Sequence, residues 1–83
     1  MVAIRVVLPD GWRVPALIQL TANGRTHAVP AGLALADFLK KQGWAPHLVA
    51  VTRNGLALGP AEAAMTTLEN GDVLEIVRIV AGG

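Results

Sequence analysis

From residue 17 onward, short apolar runs alternate with polar punctuation, and the period of the runs changes once near the middle of the chain. Residues 17–22, LIQLTA, and 25–29, RTHAV, are β-type runs joined by Asn23-Gly24. That dipeptide readily supplies the positive φ angles of a two-residue hairpin turn, so these runs predict a hairpin. After Pro30-Ala31-Gly32, Leu35, Phe38 and Leu39 stand at i, i+3 and i+4, which predicts a helix over about 34–42. Asp37 near its start and Lys40 and Lys41 near its end complement the helix dipole. Gly43 suits the left-handed position after the helix, Trp44 can pack back on the last turn, and Pro46 prevents continuation. At the other end Leu33-Ala34 stand where a Ser or Thr N-cap is expected, so the helix start is softly defined.

The second half continues with a strand at 48–52, LVAVT, and Asn54-Gly55 turning it toward LAL at 56–58. GPAEAAMTTL, 59–68, supports no more than a helical turn around 61–65. ENGD, 69–72, is a tight turn that launches a final strand over 73–80. In that strand Val73, Leu74, Ile76, Val77, Ile79 and Val80 fall on both faces, the pattern of a central strand covered on both sides. The helix is needed to cover one sheet face. The order predicts an α+β fold, a mixed four- to five-stranded sheet wrapped round one main helix with 73–80 central, which is the ubiquitin-like β-grasp arrangement. A ferredoxin-like or thioredoxin-like layout would need a second full helix. Ahead of this unit Val2, Ile4, Val6 and Leu8 alternate, Asp10-Gly11 is a turn, and Trp12 and Val14 can start a returning strand. Residues 1–16 are thus an extra N-terminal segment, either an added edge strand or a flexible leader, and an unpaired edge favours dimerisation.

Composition removes most other chemistry. Eighty-three residues make one domain, 1–83, too small for a cleft between domains. Without Cys there is no disulfide, thiolate metal site or cysteine nucleophile. His27 and His47 are too few and too isolated for a metal site. A formal net charge of +1 provides no footprint for nucleic acid or an anionic membrane, which leaves a protein as the expected partner. Although 53% of residues are hydrophobic, charged residues, Gly or Pro interrupt every apolar run before the ~20 residues that a spanning helix needs. The N-terminus lacks the pattern of a secretory signal, so a soluble, cytoplasmic protein is expected.

The chain closes on VLEIVRIVAGG, a strongly apolar strand followed by two glycines. With ANGRTHAVPAGLALADFLKKQGW, VAVTRNGLAL and LENGDVLEIV, this ending resembles the ThiS family of thiamine-biosynthesis sulfur carriers from residue 17 to the end. The small subunit of molybdopterin synthase is less similar, since prolines tend to precede its Gly-Gly. The resemblance implies that the Gly83 carboxylate is adenylated by an ATP-using adenylyltransferase of the ubiquitin-activating type (ThiF-like). A persulfide from a donor such as a cysteine desulfurase then converts it to a thiocarboxylate, whose sulfur goes to a thiazole synthase (ThiG-like). The carrier is then a protein co-substrate rather than an enzyme, with no catalytic residue, metal or bound cofactor of its own; ATP is used by the partner. A terminal carboxyl is ionised at neutral pH, and Gly82 and Gly83, lacking Cβ, can thread a narrow channel as the end of a flexible tail over 81–83. Val77, Ile79, Val80 and Ala81 are the candidate docking residues.

Plainer readings stand beside these. The Gly-Gly end can be a frayed terminus, Lys40 and Lys41 a solvated helix end, His27 a strand-face residue and His47 a loop residue. Trp12 and Trp44 read as packing residues, Asp72 as a turn residue, and LVAVT with Val77 and Ile79 as ordinary core unless one face is bare. Two alternatives remain: a related carrier serving molybdopterin, tungsten cofactor, tRNA thiolation or protein conjugation, or a β-grasp interaction module without chemistry.

Overall fold

The computed structural model describes residues 16–80, so the expectations for residues 1–15, including Trp12, and for Ala81, Gly82 and Gly83 lie outside the described residues. Within them the chain runs β1 (Leu17–Ala22), β2 (Arg25–Pro30), α1 (Leu35–Lys41), a 3-10 helix (Pro46–Leu48), β3 (Val49–Arg53), β4 (Leu56–Ala57), α2 (Pro60–Met65) and β5 (Val73–Arg78). The five strands form one sheet in the order β2-β1-β5-β3-β4. β1 and β5 are parallel while the other neighbours are antiparallel, so the last strand of the chain is the middle strand of a mixed sheet. This is the β-grasp arrangement read from the sequence.

The first hairpin forms as its turn chemistry requires. Asn23 and Gly24 take φ of 50° and 80°, and the register pairs Ala22 with Arg25 and Leu20 with His27. Leu20 and Ala22 point to the core, and so do Leu74 and Ile76 of β5 and Val49 and Val51 of β3. Against them pack Leu35, Phe38 and Leu39 of α1, the three residues whose helical spacing marked the element. Burying Phe38 and the leucines fully removes most of their side-chain area from water, roughly 1.5–3 kcal/mol each before the entropy of ordering them.

Both ends of α1 have identifiable causes. At the C-terminus Gly43 has φ of 85°, its N–H donates to the Lys40 carbonyl at 3.1 Å, and the Trp44 N–H reaches the Leu39 carbonyl at 2.8 Å. Those two bonds are the Schellman pattern and satisfy carbonyls the helix leaves open. At the N-terminus no side chain caps Ala34, consistent with its sequence. The chain beyond α2 substitutes: the Leu35 N–H donates to the Thr66 carbonyl at 3.0 Å, and the Leu68 N–H to the Leu33 carbonyl at 2.9 Å. In α2, Pro60 starts the helix and Glu62 Oε1 accepts from the Gly59 N–H at 3.4 Å, the return half of a capping box that glycine cannot complete.

The expectation that β5 is covered on both faces needs correction. Leu74 and Ile76 are buried, but Val73 and Val77 are 49% and 62% exposed. The pattern along β5 is one-sided because α1 covers one face of the sheet and Ala63 of α2 joins it there, leaving no second layer among the described residues. The strand also ends at Arg78 rather than at residue 80.

Candidate functional site

β5 is the last element of the described residues, and its surroundings fix the course of the chain as far as Val80. Two asparagines, from the Asn-Gly turns at 23–24 and 54–55, hold the strand by their side chains. Asn23 Nδ2 donates to the Ile76 carbonyl at 3.1 Å and its Oδ1 accepts from the Ile76 N–H at 2.7 Å. β1 ends at Ala22, so this amide serves as one more residue of the parallel ladder. At the opposite end of β5, Asn54 Oδ1 accepts from the Val73 N–H at 2.8 Å, while the Asn54 N–H donates to the Val73 carbonyl at 2.7 Å. Both asparagines sit at positive φ, near 50°, a conformation that Asn tolerates better than most residues.

Asp72, read from sequence as a turn residue, is also a buried hub at the start of this strand. Its carboxylate accepts from the Glu69 N–H at 2.9 Å, Arg53 Nε at 3.0 Å and Asn54 Nδ2 at 3.1 Å. Arg53 Nη2 lies a further 3.0 Å away, completing a two-nitrogen contact. Burial pushes the Asp72 pKa up, but the bonds from Glu69, Arg53 and Asn54 and the charge of Arg53 outweigh it and hold it below the ordinary carboxylate value. The backbone turn is stitched to β1 as well: Thr21 N–H to the Asp72 carbonyl at 2.9 Å, Gly71 N–H to the Gln19 carbonyl at 2.7 Å, and Gln19 N–H to Asn70 Oδ1 at 2.9 Å.

Past the strand, the Ile79 N–H donates to the Leu48 carbonyl at 2.8 Å, and the Arg78 guanidinium lies over the Trp44 ring, 6.0 Å from its centroid. Val80, the last described residue, is 80% exposed. On the outer sheet face, Val77 pairs in register with Ala50 of β3, both exposed, and Val73 lies four residues back. Glu75, opposite Thr52, interrupts this face with a charge. Three candidate docking residues, Val77, Ile79 and Val80, are therefore exposed, as docking requires, while Val49 and Val51 of the LVAVT strand belong to the core.

The remaining candidates take plainer places. His27 is half-buried with its ring edge-on to Phe38 at 5.2 Å, His47 is exposed in the 3-10 helix, and Lys40 and Lys41 are exposed at the end of α1. Trp44 is partly buried against the core, a packing residue as expected. Among the described residues no cluster of His, Asp or Glu is placed to hold a metal, and no helix is long and apolar enough to cross a membrane. A cleft of about 480 Å³ between α1, α2 and β3 is lined mainly by apolar residues such as Leu39, Val49, Leu58 and Ala63, without a reactive constellation. Sequence reasoning missed the roles of Asn23, Asn54 and Asp72; the visible signal was the recurrence of Asn-Gly, at 23–24, 54–55 and 70–71, in a chain whose last strand needs two partners.

Comparison with known proteins points in one direction. A family model described as the ThiS family matches residues 12–83. A thiazole synthase from Magnetococcus marinus is 32% identical over 66 residues, covering 80% of this chain and 20% of that protein. The chain thus spans about a fifth of the length of this curated relative. The crystal structure of a thiamine biosynthesis protein (ThiS) from Geobacter metallireducens superposes with a TM-score of 0.67 at 29% identity, over 80% of this chain and all of that one. A solution structure of a thiamine biosynthesis protein from the same organism gives 0.63 at 29% identity, covering 80% of this chain and 88% of that one.

Proposed function

Since the chain belongs to the ThiS family of ubiquitin-like sulfur carriers, we propose that it carries sulfur for thiazole formation in thiamine biosynthesis, on the carboxylate of Gly83. The observation that carries this reading is the family match, which runs through residue 83 and includes the Gly-Gly end of a chain whose central strand points into it. A carrier of this kind is a substrate of other enzymes rather than a catalyst, in keeping with a site built of backbone and apolar surface.

The chemistry asks little of the domain beyond delivery. In an adenylyltransferase of the ubiquitin-activating type, a Gly83 carboxylate oxygen attacks the α-phosphate of ATP, and pyrophosphate leaves. The acyl-adenylate carbonyl is then attacked by a persulfide on a donor such as a cysteine desulfurase or the activating enzyme, with AMP leaving. A thiol reduces the resulting acyl disulfide, freeing the thiocarboxylate. The sulfur acceptor is a thiazole synthase, a partner supported by the Magnetococcus marinus relative, in which a thiazole synthase carries a stretch similar to this chain. ATP is bound by the activating partner, and the exchange takes place in the cytoplasm.

Docking uses the bare outer face and the root of the tail: Val77, Ile79, Val80 and Ala81. Exposed Val77 on the strand and Ile79 and Val80 just past its end give a partner apolar area, so docking can offset the ordering of Gly82 and Gly83 in the partner's channel. The test is the intact mass after incubation with ATP, the activating enzyme and a sulfur donor, beside a variant lacking Gly83. A gain equal to sulfur replacing one oxygen, absent from the truncated chain, is expected. An unchanged mass with an enzyme shown to be active on another carrier would overturn the reading.

A further inference from the structure

On the β1 side the support of β5 stops at Ile76, where the Asn23 side chain takes its last bonds. Arg78 pairs with Val49 of β3, and beyond that pair the chain is held by the segment between α1 and β3: the Leu48 carbonyl continues the same register to Ile79, and Trp44 lies beneath Arg78. By the alternation of β5, Arg78 follows Leu74 and Ile76 on the helix side of the sheet. The side chain that the structure sets against Arg78 comes from just beyond the end of α1 at Lys41. Trp44, turned back by the Schellman bonds, presents its ring to the Arg78 guanidinium. Leu48, whose N–H is tied to the Ala45 carbonyl at 2.9 Å, offers its carbonyl to Ile79.

We propose that Trp44 is a positioning residue: with Leu48 it forms a collar that sets the direction of the chain at Arg78 and Ile79, ahead of the reacting end. The proposal rests on the reading that Gly83 is the reacting end. Gly83 is the fourth residue beyond Ile79, a reach of at most about 14 Å. Over that length a swing of about 20° at Ile79 displaces the carboxylate by about 5 Å, and a misplacement of ~1 Å at a reacting centre can cost ~100-fold in rate. The collar narrows the volume the carboxylate must search after the outer face has docked.

The test uses the full chain as Trp44→Ala and Trp44→Phe, with amide hydrogen exchange at Ile79 and Ile76 and steady-state adenylation by the activating enzyme. In Trp44→Ala the Ile79 amide is expected to exchange about fivefold faster or more while Ile76 stays within about twofold, because only the contacts past Ile76 are loosened. The kcat of adenylation falls about tenfold with KM for the carrier within about twofold, and Trp44→Phe, which keeps an aromatic face, restores most of both changes. Equal acceleration of both amides would reduce Trp44 to a core residue and overturn the proposal. So would an unchanged Ile79, or a loosened Ile79 with unaltered kcat. Wild-type protein that gains no sulfur from an active enzyme refutes the Gly83 reading instead, while the exchange data still decide whether the collar exists.

Discussion

Removing the Asp72 carboxylate tests the network that starts the central strand. In Asp72→Ala, Arg53, Asn54 and the Glu69 N–H lose their shared acceptor at once. Breaking a buried ion pair by deleting one partner costs roughly 3–5 kcal/mol when the other charge is stranded. Here Arg53 retains 24% side-chain exposure and has Glu69 Oε2 at 3.7 Å as a second partner, so the stranded charge is partly relieved. The expected loss is therefore about 2–3 kcal/mol, or a fall in Tm of roughly 10–20 °C for a domain of this size. The pH dependence gives an independent reading. The folded pKa of Asp72 lies below its unfolded value, so the unfolded state binds more protons and stability rises with pH through the acid range. The contribution is fully present above the unfolded pKa, about 4, and is lost as pH falls through the folded one. Urea unfolding of wild type and Asp72→Ala between pH 3 and pH 7 is the assay: the gap between the curves should close on acidification. A loss under about 0.5 kcal/mol at pH 7, or a gap that does not narrow, would refute the network's role.

Other perturbations read other parts of the fold. Asn23→Gly keeps the turn's positive φ but deletes both bonds to Ile76, and urea denaturation should show a loss of about 1–2 kcal/mol; no change would mean that water replaces the amide. Gly43→Val meets no neighbouring atom but must hold φ of 85°, so it should cost about 1–2 kcal/mol by conformation alone in the same assay. Val77→Asp on the bare face should leave the melting temperature within a few degrees of wild type, while raising KM for the activating enzyme about tenfold or more by placing a charge at an apolar contact.

How much was legible follows from how far apart the deciding residues lie. The hairpin, α1 and its glycine stop were readable because Asn23-Gly24, the Leu35–Phe38–Leu39 spacing and Gly43 act within a few residues of themselves. The central place of β5 was readable from its density of β-branched residues. Its bare outer face was not, because Val73 and Val77 look the same in sequence whether or not a second layer covers them; the available signal was the single substantial helix. The uncapped start of α1 was visible as a missing Ser or Thr, but its remedy, the Thr66 carbonyl, lies some thirty residues on. Asp72 reads as a turn residue because its partners, Arg53 at the end of β3 and Asn54 in the turn after it, lie almost twenty residues back, and only the sheet order brings them together. In the candidate site, Val77, Ile79 and Val80 follow from their nearness to the Gly-Gly end, whereas Trp44 beneath Arg78 required the fold.

The three Asn-Gly turns, at residues 23–24, 54–55 and 70–71, also bear on how this protein ages. Asn followed by Gly is prone to lose ammonia: the glycine nitrogen attacks the side-chain carbonyl carbon, and the resulting ring opens to aspartate or isoaspartate. In the folded chain both Asn54 side-chain atoms are engaged, Oδ1 by the Val73 N–H and Nδ2 by Asp72, and Asn23 is held likewise by Ile76. Rotation into the attacking geometry must break those bonds, so folding slows the decay of the very residues that stabilise the fold. Once Asn54 does convert, a donor to Asp72 becomes a second carboxylate beside it, and the repulsion loosens the network that had delayed the reaction. At these two turns damage is therefore self-accelerating and tied to folding stability, whereas Asn70, held through Oδ1 alone by the Gln19 N–H, is the least protected of the three.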